Sequence, residues 1–155
     1  MLDNLSSQVI SPNNPPQIAD SKKCNWIGII EDNLKLLFAD REDVLIAATV
    51  PRSALIDKAT IQLNPDLMVF FDSGKELGSF YPQVVFDLLT TERTLKEMIK
   101  KLDIYEKYGV LEYYLYDPVH NHLSGWQARK SNLEIIEVMD NWFSPLLGIR
   151  FQLSP

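Results

Sequence analysis

Cysteine is nearly absent from this sequence, and so are long apolar runs and a recognisable export signal. The single cysteine, Cys24, cannot form an internal disulfide, which fits a reducing cytoplasm. No apolar run approaches the roughly 20 residues that a helix needs to span a bilayer. Residues 1–5 lack the basic and apolar regions of a signal peptide. We therefore expect a soluble, cytoplasmic protein with no membrane segment.

Positive charge is also scarce. The chain has 15 Lys and Arg residues against 21 Asp and Glu residues, which gives a net charge of −6 and a pI near 4.9. A protein that coats nucleic acid through bulk electrostatics needs clustered Lys and Arg, so the composition argues against that class. It does not exclude an enzyme that acts on a polyanion, because metal ions held by carboxylates reverse the local field.

Several common catalytic and binding motifs are missing as well. The sequence has no glycine-rich phosphate loop, no Gly-x-Ser-x-Gly elbow and no Cys-x-x-Cys pair. Its two histidines, His120 and His122, lie in a polar turn, whereas zinc sites usually need three or four ligands at known spacings. Zinc binding by this pair and a nucleophilic role for Cys24 are therefore disfavoured.

The length of 155 residues predicts one domain, which buries roughly 68–70% of its unfolded surface. Residues 1–22 are rich in Ser, Pro and Asn, and we interpret them as a mobile N-terminal arm before a single domain over residues 23–155. Asn25 is a candidate cap for a helix that runs to about Asp40. Glu31 lies near the edge of its apolar stripe and could reach toward a metal site, but a solvated helix carboxylate is the simpler interpretation.

Two short apolar runs, 66–72 and 83–89, organise the predicted fold. Each is rich in Val, Phe and Leu and is bounded by Pro, Gly or Ser, as buried strands are. The segment between them, 72–82, contains two glycines and a proline and is typical of a hairpin loop. The sequence therefore predicts an antiparallel hairpin at the centre of the fold.

An aspartate interrupts each of these strands. If Met68 lies opposite Asp87, then Asp66 is a diagonal neighbour of Asp87 on the same face, roughly 7–8 Å away. An unpaired buried carboxylate costs several kcal/mol, and a shared divalent cation would remove that cost. The register is an assumption, and a slip of one residue would put Asp66 and Asp87 on opposite faces.

A second helix is predicted after the hairpin. Thr94 and Glu97 form a capping box at its start, and Gly109 ends it. At about 100° per residue, Lys101 lies about 60° from Met98, on the flank of the apolar face. The other lysines of this helix fall roughly opposite that face: Lys96, Lys100 and Lys107. We therefore expect Lys101 to point back across the sheet.

The rest of the chain adds more strands. Residues 111–116 predict an aromatic strand, and 123–127 with 133–138 predict a hairpin. The final run, 142–151, packs apolar residues around a turn and a short strand. We interpret the tyrosines of this half as core and interface residues rather than as a base-stacking platform, because their neighbours are apolar. They are Tyr105, Tyr108, Tyr113, Tyr114 and Tyr116.

Asp66, Asp87 and Lys101 together suit phosphodiester hydrolysis. Two carboxylates can hold Mg²⁺, which polarises a phosphoryl oxygen and lowers the pKa of water, and an ammonium group stabilises developing negative charge. Taken alone this pattern has low specificity, because two aspartates and a lysine are common.

Several linked motifs resemble the Uma-type putative restriction endonuclease family, a branch of the PD-(D/E)XK nuclease superfamily. The resemblance covers roughly residues 25–151, and a chain of motifs is more specific than any one of them. The segments that carry it are Pro65-Asp66-Leu67-Met68-Val69, Pro82 to Thr90, Glu97-Met98, Lys101-Leu102, Tyr105 to Val110, Glu112 to Pro118 and Trp142 to Phe151.

The resemblance implies an α/β, restriction-endonuclease-like core: a mixed sheet with an antiparallel hairpin, flanked by helices, with a metal-dependent nuclease site on one face. It maps the two family carboxylates onto Asp66 and Asp87, with the main-chain carbonyl of Leu88 as a further metal ligand. The superfamily lysine position is Leu89 here, and Lys101 is the natural substitute. The implied cofactor is Mg²⁺, with Mn²⁺ as a possible substitute, and the implied substrate is DNA.

This sequence departs from the family pattern at three places. Asp87 stands where the family usually has the longer glutamate, the 72–82 loop is shorter, and Thr90-Thr91 replaces Ser-Pro. These departures leave two alternatives beside the endonuclease. One is a catalytically inactive nuclease-fold module that binds protein or nucleic acid as a homodimer. The other is a plain structural homodimer that associates through exposed aromatic residues.

Overall fold

Six strands form one mixed sheet with a helix on each face. The computed structural model describes residues 18–48, 65–71, 81–90 and 94–152. The helices are α1 (Ile18–Leu37) and α2 (Leu95–Lys107). The strands are β1 (Val44–Ala47), β2 (Leu67–Phe71), β3 (Val84–Leu88), β4 (Glu112–Asp117), β5 (His122–Arg129) and β6 (Asn132–Ile135).

The strands lie in the sheet in the same order as in the chain. All neighbouring pairs are antiparallel except β3 and β4, which are parallel. Parallel strands need a crossover of a dozen or more residues, and α2 lies in that connection. The predicted α/β fold class, a mixed sheet with an antiparallel hairpin flanked by helices, is confirmed.

Helix α1 begins earlier than its sequence pattern predicts. It starts at Ile18, so Asn25 lies inside the helix and the predicted cap there is wrong. Good helix formers before Asn25, including Ala19, Lys22 and Lys23, let the helix extend toward the N-terminus. Of the predicted arm, residues 1–17 lie outside the described residues, and residues 18–22 belong to α1.

Helix α2 has the predicted start. The Thr94 hydroxyl accepts from the Glu97 amide, and the Glu97 carboxylate accepts from the Thr94 amide, so the capping box is confirmed. The helix ends at Lys107, and Gly109 follows with a φ of 79°, a left-handed conformation that favours glycine. The start of α2, and with it the direction of each side chain, is therefore fixed locally.

The core has one layer on each face of the sheet, because alternate residues of a strand point to opposite faces. Leu67 and Val69 of β2 pack in the layer under α1, and Met68 and Phe70 pack in the layer under α2. The α1 layer also contains Leu34, Val84, Phe86, Tyr114, Leu123 and Leu147, and the α2 layer contains Val85, Tyr105, Val110, Tyr113 and Leu133.

The remaining predicted elements have mixed outcomes. The hairpin of β5 and β6 forms, and the final run contains a bridge between Phe143 and Arg150. Most of the predicted 72–82 loop lies outside the described residues. No helix in the part of the chain that the structure describes is long and apolar enough to cross a membrane.

Candidate active site

The two aspartates of the central hairpin lie on the face of the sheet covered by α2. Asp66 comes directly before β2, and Asp87 is in β3. Alternation places Asp66 on the side of Met68 and Asp87 on the side of Val85, and both of these apolar residues pack in the α2 layer. The structure therefore brings the two predicted carboxylates to one face.

The register of the hairpin differs from the predicted one by two residues. Met68 pairs with Val85, so the predicted pairing of Met68 with Asp87 is wrong. A shift of two residues keeps every side chain on its face, whereas a shift of one would reverse it. Continued by one pair, the observed register sets Asp66 opposite Asp87. The Asp66 amide donates to Asp87 Oδ1 at 3.1 Å, so the two residues are direct rather than diagonal neighbours.

Lys101 completes the cluster from helix α2. Its Nζ lies 3.1 Å from Asp87 Oδ2, and the pair is buried, with Lys101 5% and Asp87 1% exposed. The other lysines of the helix, Lys96, Lys100 and Lys107, are exposed. The structure therefore places Lys101 where its helical angle predicts, against the sheet.

Two tyrosine hydroxyls, which the sequence interpretation did not connect with the site, also contact Asp87. Tyr105 of α2 donates to Asp87 Oδ2 at 3.1 Å, and Tyr113 of β4 donates to the same oxygen at 3.0 Å. Both tyrosines are 1% exposed. Sequence pattern identified their rings as core, and that is correct, but burial alone does not show where a hydroxyl points.

Asp66 is held by the neighbouring strand. Its Oδ2 accepts a hydrogen bond from the Leu88 amide at 2.8 Å, and the residue is 8% exposed. The Leu88 group in contact with Asp66 is thus the amide, while a metal-binding role for the Leu88 carbonyl stays a prediction. The exchange of backbone-to-carboxylate hydrogen bonds between Asp66 and the Asp87–Leu88 segment fixes the position of both carboxylates.

The donor set fits magnesium better than zinc. Mg²⁺ is commonly bound through one or two carboxylates together with substrate phosphates, and the pair Asp66 and Asp87 supplies two such carboxylates. Among the described residues, no group of three or more His, Cys, Asp and Glu side chains could hold a metal ion by itself. The part of the chain that the structure describes therefore offers Asp66 and Asp87 as two carboxylate ligands, and no closed structural metal site.

Glu31 and the histidines belong to other surroundings. Glu31 pairs with Lys35 at 2.7 Å on α1, the helix that packs on the opposite face of the sheet. His120 pairs with Asp117 at 2.6 Å in an exposed turn. Burial raises the pKa of Asp117, but hydrogen bonds from His120 and from two backbone amides outweigh it, so the net pKa lies below its ordinary value.

A pocket of about 350 Å³ lies between α1 and the sheet. Its walls are mainly apolar, and among the described residues that line it Asp87 is the one with a charged side chain. Neither Asp66 nor Lys101 is among its lining residues. An apolar cavity does not suit a phosphate group, so we place the candidate chemistry at the carboxylate cluster on the α2 face.

The sequence pattern did not identify a third buried carboxylate, that of Glu112 at the start of β4. It is 1% exposed and points to the α1 face, away from Asp87. Its side chain accepts hydrogen bonds from the hydroxyls of Tyr114 and Ser144 and from the Leu146 amide. Burial, and secondly the charge of Glu112, raises the pKa of Tyr114, which keeps its hydroxyl protonated as a donor. Glu112 therefore binds the final run of the chain, residues 142–151, to the sheet through hydrogen bonds.

This attachment predicts that Ser144→Ala lowers stability. The substitution removes one of the three described donors to Glu112 and also the Ser144 hydroxyl that accepts from the Leu147 amide, and losing a buried hydrogen-bond partner costs about 1–3 kcal/mol. Thermal unfolding should show a fall in Tm of several degrees. Ser124→Ala, at a half-buried position of β5, is the matched control and should change Tm little. Equal Tm values for the two variants would contradict this role of Glu112.

Comparison with known proteins gives a family match and a structural match. A family model, Uma2, described as "Putative restriction endonuclease", matches residues 30–154. The crystal structure of a putative nuclease belonging to DUF820 from Anabaena variabilis ATCC 29413 matches with a TM-score of 0.56 and 13% identity, over 82% of this chain and 75% of that one. At this identity the structural match shows a shared fold. No curated protein sequence matches the chain.

Proposed function

We propose that this chain, which belongs to the Uma2 putative restriction endonuclease family, is a metal-dependent endonuclease. Its proposed reaction is the hydrolysis of DNA phosphodiester bonds. One observation carries the proposal: Asp66, Asp87 and Lys101, all buried, meet at one place on an otherwise apolar sheet face. Buried charge is costly, and charged residues gathered in this way are typical of functional sites.

Each residue has a distinct role in this proposal. Asp66 and Asp87 hold Mg²⁺, or Mn²⁺ in its place, and the Leu88 carbonyl is a further candidate ligand. When bound, Mg²⁺ supplies Lewis acidity at the phosphate and lowers the pKa of water. The register sets Asp66 opposite Asp87, so the two proposed ligands come from directly neighbouring positions.

Lys101 acts beside the attacking water. Its ammonium group is already fixed at Asp87, 3.1 Å from Oδ2, and a buried cation there stabilises negative charge that develops on the nucleophile or the phosphate. Lys101 reaches this point from α2 rather than from β3, where the superfamily position is occupied by Leu89. The capping box at Thr94 fixes where α2 begins, and this determines the direction in which the Lys101 side chain points.

The test is cleavage of supercoiled plasmid by the purified protein with Mg²⁺, with Mn²⁺ and with a chelator. We expect nicked and linear products only when a divalent ion is present, because the carboxylate pair is the proposed ion site. Single-stranded DNA and RNA of the same sequence, tested in parallel, distinguish a DNA endonuclease from a nuclease of another specificity. Absence of cleavage with both ions would refute the proposed activity.

One observation favours a second candidate, a catalytically inactive nuclease-fold module that binds a partner as a homodimer. Asp87 accepts hydrogen bonds from Lys101, Tyr105, Tyr113 and the Asp66 amide, so its charge is compensated within the protein. A module of this kind need not bind an ion. Titration with Mn²⁺ in a calorimeter separates the two candidates, because the endonuclease requires measurable binding and the inactive module does not.

The homodimer has its own support. Large apolar residues of α1 are exposed, among them Ile29, Leu36 and Leu37. Clustered apolar residues at the surface commonly mark association sites. Sedimentation velocity over a range of protein concentrations tests for dimers independently of any activity. The cytoplasmic location remains a prediction from the single cysteine.

A further inference from the structure

Three side-chain donors converge on one oxygen of Asp87. Lys101 Nζ, the Tyr105 hydroxyl and the Tyr113 hydroxyl all lie 3.0–3.1 Å from Oδ2. The other oxygen, Oδ1, faces the Asp66 amide at 3.1 Å. The two oxygens of Asp87 are therefore not equivalent: Oδ2 accepts from three side chains, and Oδ1 accepts from the main-chain amide of Asp66.

Charge compensation alone does not require this arrangement. Lys101 already provides one positive charge for Asp87, whereas the two tyrosines are neutral and provide direction instead. They also come from different elements, Tyr105 from α2 and Tyr113 from β4. The χ2 torsion of an aspartate has a broad, nearly two-fold distribution, so the side chain itself does not fix the direction of its carboxylate. Donors from two separate elements can hold that carboxylate in one orientation.

The rings of the two tyrosines have a separate structural role. Tyr105 and Tyr113 pack against each other with centroids 5.0 Å apart, and Tyr113 stacks on Trp126 at 5.2 Å. Phenylalanine at either position would keep these ring contacts and remove the hydroxyl. The contribution of each hydroxyl can therefore be measured separately from the contribution of its ring.

We infer that Tyr105 and Tyr113 are positioning residues that hold Asp87 with Oδ1 presented on the side of Asp66, where the proposed metal binds. The inference rests on the proposed function. Hydrogen bonds to metal-binding carboxylates orient them, and loss of such a partner typically lowers metal affinity about 10–100-fold.

The experiment is calorimetric titration of Mn²⁺ alone into the wild type, Tyr105→Phe, Tyr113→Phe and the double variant. We expect each single variant to bind Mn²⁺ about 10-fold more weakly and the double variant about 100-fold more weakly. Tyr116→Phe is the matched control: it removes the hydroxyl that donates to Asn121 in the neighbouring turn, and its Mn²⁺ affinity should equal that of the wild type.

Thermal unfolding with and without Mn²⁺ provides a second measurement. Binding to the folded state raises the free energy of unfolding by RT ln(1 + [L]/Kd), so at one Mn²⁺ concentration the rise in Tm should be smaller in the two tyrosine variants and unchanged in Tyr116→Phe. A purely structural role would lower the metal-free Tm and leave the metal-dependent rise unchanged. If one variant does not fold, the other still provides the test.

The possible outcomes separate this inference from the proposed function. If the wild type binds Mn²⁺ and both tyrosine variants bind it with the same affinity, the positioning role is overturned while the metal site stands. If the wild type binds no Mn²⁺, the proposed metal-dependent function fails and the positioning role fails with it. Weaker binding in Tyr105→Phe and Tyr113→Phe, but not in Tyr116→Phe, supports both.

Discussion

Asp66→Asn should lower Mg²⁺-dependent DNA cleavage by at least about 10²–10³-fold, the usual effect of removing one electrostatic contribution at a transition state. The amide oxygen of asparagine can still accept the hydrogen bond that the Leu88 amide donates to Asp66. The substitution therefore removes the negative charge and keeps the local hydrogen bonding. Initial rates of plasmid nicking at saturating Mg²⁺ measure the effect, and Asp66→Ala should abolish cleavage.

The matched control for this loss is Asp103→Asn. Asp103 is an exposed residue of α2, two positions after Lys101, so the variant changes net charge by the same amount. Its cleavage rate should stay close to that of the wild type. Cleavage by Asp66→Asn at the rate of Asp103→Asn would mean that the reaction does not depend on the Asp66 carboxylate, and the assigned site would be wrong.

Lys101→Met should destabilise the folded protein by about 3–5 kcal/mol, because it leaves the buried Asp87 carboxylate without its cation. For a domain of this size, this corresponds to a fall in Tm of roughly 6–20 °C. Methionine keeps an unbranched apolar stem of similar shape, so lost packing contributes little. Thermal or urea unfolding provides the measurement.

Two further variants define the cause of that loss. Lys100→Met removes a lysine from the exposed side of the same helix and should change stability by less than about 0.5 kcal/mol. Lys101→Met combined with Asp87→Asn removes both charges and should recover much of the stability, since a buried ion pair can often be replaced without loss. The double variant should still be inactive. If Lys101→Met unfolds at the wild-type temperature, the ion pair contributes nothing to the fold.

The shared face of Asp66 and Asp87 could be predicted from the sequence, although their exact pairing could not. The apolar pattern of a strand has a period of two, so it distinguishes one face from the other but is unchanged by a shift of two residues. The observed pairing of Met68 with Val85 differs from the predicted one by that amount. Turn rules fix the register of hairpins with loops of about two to five residues, and the 72–82 segment of the sequence is longer than that.

Lys101 could be placed because its helix has an unambiguous start. A capping box fixes the first residue, and a constant angle per residue then fixes the direction of every side chain along the helix. The start of α1 could not be placed in the same way. Asn25 is a good cap by residue type, but the residues before it also favour a helix, and local propensity does not decide between the two.

The hydrogen-bonding partners of the buried polar groups were largely beyond the sequence. The hydroxyls of Tyr105 and Tyr113 reach Asp87 from α2 and β4, 18 and 26 residues further along the chain, and no spacing rule links either residue to Asp87. Glu112 is different, because it interrupts an apolar strand in the same manner as Asp87 does. The criterion that singled out the two aspartates applies to Glu112 as well and would have identified it as a buried carboxylate that needs donors.

The attachment of the final run through Glu112 makes the middle of the sheet dependent on the last part of the translated chain. A product truncated by a premature stop codon before Trp142 would contain all of Asp66, Asp87 and Lys101 yet lack the Ser144 and Leu146 donors. Of the three described donors to its Glu112, it would keep the Tyr114 hydroxyl and lose the other two. We expect such a fragment to be less stable than the full chain, so cellular proteases should remove it before it accumulates.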